Sequence, residues 1–338
     1  MQNEGAADPA SAWQMLANSI AEAGRKLDET TKDEPLEVRA DGYRALNRAL
    51  MNLLGRLEVD DARPQLTPYN LWREKFYMDN PDCRYWLTEL APGGVYRIAG
   101  KIGGAAFTSI NVYEGEGFVA KTVARVTGDE LVLDANGRFS LTLGGREADA
   151  NGQWLAIPPG STMIWVRQFY EQPHGEEGDC SIERLDPVAP PPGIDGARFT
   201  KRLTRSAMAL GLSSVNIMRA GSAQDAETPN AVRDWTEAQG GAVYTEPGIH
   251  YQRGSWRLAD DEALVIEGRM VPVRHMNILL YSRYLNSLDY RNRQVSLTGA
   301  AIETDADGRF RIYVCGRDPG RPNWLDTEGR AFGLFALR

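Results

Sequence analysis

The sequence predicts a mainly β protein: a jelly-roll-like antiparallel sandwich built from two related β units, with an N-terminal α-helical hairpin. Three observations carry that reading. Short runs rich in Val, Ile, Tyr, Phe and Thr, punctuated by glycine, follow one another from about residue 80, as in antiparallel sheets and unlike parallel sheets, whose strands alternate with helices. The hexapeptide Asp134-Ala135-Asn136-Gly137-Arg138-Phe139 recurs as Asp305-Ala306-Asp307-Gly308-Arg309-Phe310. The first sixty residues, by contrast, carry apolar residues at helical spacing.

Taken in order, Ser11-Ala12-Trp13-Gln14 has the S-x-x-Q form of a capping box, and Trp13, Leu16, Ala17, Ile20, Ala23 and Leu27 follow on one stripe. A second stripe of Tyr43, Leu46, Leu50, Leu53, Leu54 and Leu57 pairs with it as a hairpin over residues 1–62. Its apolar face is expected to cap the main body, with a dimerisation arm as the alternative. The first β unit covers 63–186, with strands expected at Tyr85–Leu90, Val95–Ala99, Ala106–Tyr113, Phe118–Val126, Glu130–Leu133, Arg138–Leu143, Met163–Tyr170 and Cys180–Leu185. The run Pro187-Val188-Ala189-Pro190-Pro191-Pro192-Gly193 cannot continue a sheet and opens a linker with helices over 187–240. A helix is expected through Phe199, Leu203, Ala207 and Leu210, and a short one over Pro229–Gln239. The second β unit occupies 241–338.

The duplication extends beyond the hexapeptide. Leu141 and Leu143 match Ile312 and Val314, Trp154-Leu155 matches Trp324-Leu325, and Arg167 falls within one residue of the place of Arg338. Trp154 and Trp324 are therefore expected to do the same packing job. Asp326, by contrast, has no carboxylate counterpart in the first unit.

Composition narrows function by exclusion. The 338 residues have 42% hydrophobic and 25% charged residues and a net charge of -8, which fits a folded globular protein and argues against a polyanionic partner, whose phosphates call for Lys and Arg. Nucleic acid is therefore not an expected partner. No run of about eighteen apolar residues suggests a membrane span, and the opening Met1-Gln2-Asn3-Glu4 has neither a basic region nor an apolar run. Three cysteines, an odd number with no C-x-x-C spacing, point to reduced thiols and a cytoplasmic location. A homo-oligomer is left open.

Several segments resemble the bacterial proteins that carry the domain of unknown function DUF1214, often found beside DUF1254. They are Asn80-Pro81-Asp82-Cys83-Arg84-Tyr85 with Tyr96-Arg97-Ile98, Val166-Arg167-Gln168-Phe169-Tyr170 with Ile182-Glu183-Arg184, Ser287-Leu288-Asp289-Tyr290-Arg291, and Asp318-Pro319-Gly320 through Asn323-Trp324-Leu325-Asp326-Thr327-Glu328-Gly329. The resemblance spans about residues 70–338 and implies a jelly-roll-like β fold in a family with no reaction to carry over.

No G-x-S-x-G elbow or G-x-x-x-x-G-K loop is present, and a strand-like run follows Gly115-Glu116-Gly117, where a dinucleotide fold would place a helix. His174, His250 and His275 are isolated, so neither a metal nor another cofactor is expected. Three polar constellations stand out. Asn80, Asp82, Arg84 and Tyr85 form the first, which an Asx turn would equally explain. Arg274, His275 and Asn277 form the second, with His275 as a candidate general acid or base or as a satisfied buried histidine. Asp326 with Asn323, and Arg338 or Arg167 as an ion-pair partner, form the third. If Asp82, His275 and Asp326 converge as catalytic groups, with Asn80, Arg84, Tyr85, Arg167, Tyr284, Asn323 and Trp324 binding substrate and Trp86 lining the pocket, the protein is a cofactor-free enzyme. Its chemistry would be lyase, isomerase or hydrolase acid/base catalysis on a small, partly apolar metabolite. The alternative is a non-catalytic β-sandwich that binds a small molecule or carbohydrate.

Overall fold

A computed structural model describes residues 8–115, 117–172, 175–191, 193–219, 224–235 and 244–338. Its described residues form seventeen strands in four sheets and four α-helices. In the first unit, strands β1 (Thr67–Tyr69), β2 (Cys83–Glu89), β8 (Ser161–Phe169), β4 (Phe107–Glu114) and β5 (Lys121–Thr127) form one sheet in that order. Strands β7 (Gln153–Leu155), β6 (Arg138–Leu143), β3 (Tyr96–Lys101) and β9 (Asp179–Arg184) form the other. Alternation decides which side chains meet between them: Ile110, Val112, Ile164 and Val166 from one sheet pack against Tyr96, Ile98, Leu141 and Leu143 from the other.

The second unit repeats the plan. Strands β10 (Ala231–Asp234), β11 (Gln252–Arg257), β17 (Phe332–Leu337), β13 (Asn277–Tyr281) and β14 (Ser296–Thr298) stand in the order of β1-β2-β8-β4-β5. Strands β12 (Leu264–Arg269), β15 (Arg309–Cys315) and β16 (Trp324–Asp326) correspond to β3, β6 and β7. Each unit is thus its own sandwich, the second closed by Trp256, Ile278, Leu280 and Phe335 against Phe310, Ile312, Val314 and Leu325. The repeated hexapeptides fold alike. Asp134 Oδ1 accepts from the amides of Asn136 and Arg138 at 2.8 and 2.9 Å, and Asp305 Oδ1 from those of Asp307 and Arg309 at 2.9 and 2.8 Å. Gly137 and Gly308 supply the positive φ angles of 71° and 74° that close the two turns.

Trp154 Nε1 donates to the Gly144 carbonyl and Trp324 Nε1 to that of Cys315, at 2.8 and 3.1 Å. The two indoles do one packing job.

Several expectations change. The β6–β7 and β15–β16 pairs are parallel, so the two sheets that contain them are mixed, whereas the other two are antiparallel. Glu130–Leu133 is not a strand: Glu130 lies in a turn, its carboxylate folding back onto the Thr127 amide and hydroxyl at 2.8 Å, and of the four residues Leu133 alone makes a β-bridge, to Phe139. The second unit begins before 241, because β10 lies within the segment expected as a helix over Pro229–Gln239; residues 236–239 fall outside the described residues.

The helical hairpin gains a third member. Helices α1 (Pro9–Thr31) and α2 (Leu36–Leu54) pack on α3 (Gly196–Arg219), with Ala12 and Leu16 meeting Leu203, Ala207 and Leu210. Helix α1 starts earlier than Ser11. Asp8 is its N-cap, accepting from the Ser11 amide at 3.0 Å, and Pro9 follows at the first helical position, where its missing N–H costs nothing. The buried stripe is accordingly Ala12, Leu16, Ala23 and Leu27, and Trp13 and Ile20 face outward at 65% and 42% exposure.

The segment leading from the helices into β2 is pinned to the second unit by Lys75. This side chain is fully buried, donates from Nζ to the carbonyls of Ser287 and Leu288 at 2.8 and 2.9 Å, and lies over the rings of Trp72 and Tyr290 at 4.0 and 4.4 Å. Burial depresses its pKa to about 7; nearby Asp79 opposes the shift, while Arg48 and Arg44 add to it. The unfolded lysine keeps its proton through the window between that value and the ordinary lysine range, where the folded one has lost it. Stability from this group therefore rises with pH across that window. Denaturant midpoints measured from pH 7 upward should show this rise in the wild type and a flatter curve in Lys75→Met; parallel curves would contradict the assignment.

Candidate functional site

The face of the β2-β8-β4 sheet turned away from the sandwich core is set by alternation. Since Ile164 and Val166 point inward, Trp165 and Arg167 point outward, and from the neighbouring strands Tyr85, Ser109, Asn111 and Tyr113 join them. The outward face of the β11-β17-β13 sheet carries the matching set of Tyr251, Asn277, Tyr281 and Arg338. Tyr85 stands opposite Arg167 in its ladder, and Tyr251 immediately precedes Gln252, the partner of Leu337. Arg338 exchanges both main-chain hydrogen bonds with Asn277, at 3.0 and 2.9 Å.

The two arginines hold equivalent partners. Arg167 donates to the Tyr113 phenol at 3.0 Å and the Tyr244 carbonyl at 2.6 Å; Arg338 donates to the Tyr281 phenol at 2.6 Å and the Met78 carbonyl at 3.0 Å. Met78 precedes Tyr85 by the same seven residues that separate Tyr244 from Tyr251, and both have left-handed backbones, with φ of 58° and 54°. Non-glycine residues adopt that conformation only when their surroundings hold them there. Between lie Asn80-Pro81 and Glu246-Pro247, with amide-to-carbonyl bonds from Cys83 to Asn80 and from Ile249 to Glu246 at 3.1 and 3.0 Å. The segment entering the first unit therefore lies across the second, and the segment entering the second lies across the first. The seam between the units is an exchange of straps.

The charges of the seam are not symmetric. Glu246 is buried and accepts from Ser109 Oγ at 2.6 Å, Asn111 Nδ2 at 2.8 Å and Arg125 Nε at 2.7 Å, with Arg167 Nη1 at 3.9 Å from its Oε2. At the matching place by Arg338 stands Asn80, a neutral amide. Among the described residues no carboxylate lies within 4.0 Å of the Arg338 guanidinium, and its buried Nη1 has no partner. Burial opposes the charge on both arginines, but the surrounding phenol oxygens, and Glu246 at Arg167, hold both pKa values above the ordinary one. Burial pushes the Tyr85 phenol well above its usual range, although both arginines favour its ionised form. Tyr85, Tyr251 and Arg338 are residues of intermediate exposure, although the Arg338 Nη1 itself is buried.

Of the residues read from the sequence, Asn80, Asp82, Tyr85 and Arg167 come together in or beside this seam. Among the described residues no hydrogen bond or ion pair joins any two of the expected catalytic groups Asp82, His275 and Asp326, and each has its own partners. Asp82 accepts from Asn277 Nδ2 at 2.9 Å and Ser296 Oγ at 2.5 Å. His275 Nδ1 lies 2.8 Å from Glu171, and its ring tilts against Phe169. Asp326 pairs with Arg293 at 2.7 Å rather than with Arg338 or Arg167, and takes the Glu328 amide at 2.7 Å. Asn323 bridges Glu303 and Arg311 with both ends of its amide. Trp324 packs as described, Arg84 pairs with Glu177 at the surface at 2.5 Å, and Tyr284 is buried against the helices. Burial also pushes the Cys83 thiol up to about 12, with Arg167 opposing, which leaves it unreactive. His174 lies outside the described residues, and among those no group of three or more His, Cys, Asp or Glu side chains is placed to hold a metal ion. Glu246, Tyr113, Tyr251 and Tyr281 escaped the sequence reading. The signal for Glu246 and Tyr251 is the shared spacing of Asn80-Pro81 before Tyr85 and Glu246-Pro247 before Tyr251.

Fold and seam define a two-sandwich β protein with crossed straps and a helical layer. An uncharacterised protein from Burkholderia cenocepacia is similar over 97% of this chain and 92% of its own, at 26% identity and a TM-score of 0.88. A protein from Vibrio parahaemolyticus is matched over 89% of this chain and 94% of its own, at 11% identity and a TM-score of 0.48. No family model and no curated protein matches the chain.

The contact between Glu171 and His275 joins the units at a second place. Burial raises the Glu171 pKa, but the bond from His275 and the Met276 and Ala300 amides, at 2.9 and 2.7 Å, outweigh it and hold the value below the usual range. A depressed carboxylate contributes stability that is complete above its unfolded pKa and lost as pH falls through the folded one. Glu171→Gln should therefore be less stable than wild type at neutral pH and converge with it in acid, as read from melting temperatures between pH 7 and pH 3. A gap that stays constant would sink the assignment.

Proposed function

We propose that the protein is a small-molecule-binding protein whose ligand enters the seam between the two β units. The observation that carries this is Arg338: a guanidinium fixed by the Met78 carbonyl and the Tyr281 phenol, with a buried Nη1 left without a partner beside the half-buried Tyr85 and Tyr251. Buried polar groups are ordinarily satisfied, and one that is not is a place where a ligand gains a hydrogen bond. A carbohydrate platform has less support. Trp165 is stacked on Tyr244, with centroids 5.1 Å apart and planes at 10°, and Arg167 lies 4.6 Å from its ring centroid. The cofactor-free acid/base enzyme has less support too, because Asp82, His275 and Asp326 each serve a separate contact. Kinship with DUF1214 proteins and a jelly-roll-like description rest on the motifs quoted above. A cytoplasmic location rests on the free state of Cys83, Cys180 and Cys315, together with the lack of any described helix long and apolar enough to cross a membrane.

A thermal-shift screen of small metabolites against the wild type and Arg338→Met tests the reading. A ligand present at about ten times its Kd contributes about 1.4 kcal/mol, enough to move the transition. Shifts that disappear in Arg338→Met are expected; shifts of equal size in both proteins would place the ligand elsewhere and overturn the proposal.

A further inference from the structure

The seam carries its own reference for what Arg338 lacks. At Arg167 the chain provides a carboxylate. Glu246 Oε1 receives the Gly248 amide at 3.3 Å, and its other oxygen faces Arg167 Nη1. At Arg338 the corresponding side chain is Asn80, whose Oδ1 receives the Asp82 amide at 3.0 Å, just as Glu246 Oε1 receives that of Gly248. That backbone donor, with Asn277 Nδ2 at 2.9 Å, fixes which end of the amide is oxygen. By this correspondence Asn80 Nδ2 answers to the Glu246 oxygen that faces arginine, and it too is buried with no partner. Two unmatched donors, Arg338 Nη1 and Asn80 Nδ2, stand where the other half of the molecule has a donor and an acceptor. Asparagine is also one methylene shorter than glutamate, which leaves about 1.5 Å more room along the same direction.

We infer that the seam's ligand is a small monocarboxylate, whose carboxylate sits between Arg338 Nη1 and Asn80 Nδ2 in the place that Glu246 fills at Arg167. This rests on the seam being a binding site. A single negative charge matches a single uncompensated guanidinium; a phosphate would bring excess charge into a buried place. Asp82 does not fill the role, since its Oδ2 is held by Ser296 and Asn277. Tyr85 and Tyr251, both of intermediate exposure, belong to the same seam, so the rest of the ligand would meet aromatic side chains, which favours a carboxylate on a flat or short apolar body.

Calorimetric titration with benzoate and acetate, each paired with its neutral amide, benzamide or acetamide, tests the inference on the full chain. The carboxylates should bind, and the amides should bind about tenfold or more weakly. Asn80→Glu builds the missing internal carboxylate and should abolish benzoate binding, and Arg338→Lys should weaken it. Circular dichroism establishes that each variant is folded, and Arg338→Lys keeps the test open if Asn80→Glu does not fold. Benzoate and benzamide binding equally, both sensitive to Tyr85→Ala, would reject the carboxylate and keep the seam as a site. Binding indifferent to all three substitutions would reject both, and no binding of either carboxylate would reject the monocarboxylate.

Discussion

The architecture depends on two arginine clamps. Each holds the carbonyl of a strap that belongs to the other unit: Arg167 of the first holds Tyr244, and Arg338 of the second holds Met78. Two sandwiches, each with its own closed core, would otherwise have little reason to fix their relative position, and interfaces of that kind usually permit motion. The clamps change this because they are buried and charged. A guanidinium out of water must spend its donors on fixed acceptors, and those acceptors are backbone oxygens of straps held in left-handed conformations. Strain in the straps and desolvation of the arginines are both offset by these hydrogen bonds, which form only when both units are in place.

Lys75 and the contact of Glu171 with His275 extend the same logic. Both join a segment of the first half of the chain to one of the second, and both replace hydration with a small number of directed partners. Both pKa values are depressed, that of Lys75 by burial and that of Glu171 by its hydrogen bonds against burial, and in both cases stability rises with pH. A depressed lysine favours the folded state at higher pH and a depressed carboxylate disfavours it in acid. Joined by such groups, the units respond to pH through their seam rather than through their cores, which are apolar.

Local chemistry was legible in the sequence. Hairpin turns such as Asp134–Gly137 and Asp305–Gly308 are decided within six residues, and the match of Trp154 to Trp324 followed from counting outward from them. Less legible was whatever depends on a distant partner. Asp8 displaced Ser11 as a cap because Pro9 starts the helix early, and the strand expected from Glu130 gave way to a turn there because the Glu130 carboxylate captures the Thr127 amide. Asp326 was noticed as an addition to the repeat, yet its partner Arg293 lies in a loop with no counterpart to compare. The straps were hidden because only Pro81 and Tyr85 recur at Pro247 and Tyr251, too little to separate from chance without the geometry.

Duplication makes the asymmetry of the seam informative. Two copies of one strand plan start with the same arginine, the same phenol partner and the same strap carbonyl, so any difference between the halves is a departure from a common arrangement. The carboxylate of the C-terminal motif, Asp326, is such a departure, but it is consumed by Arg293 and the Glu328 amide. The difference between Glu246 and Asn80 is of another kind. It removes a charge from a buried place and leaves two donors unmatched, a costly change unless something else is bound there. The half around Arg167 has a carboxylate of its own facing the guanidinium, and the half around Arg338 has two unmatched donors, which the proposed ligand would satisfy.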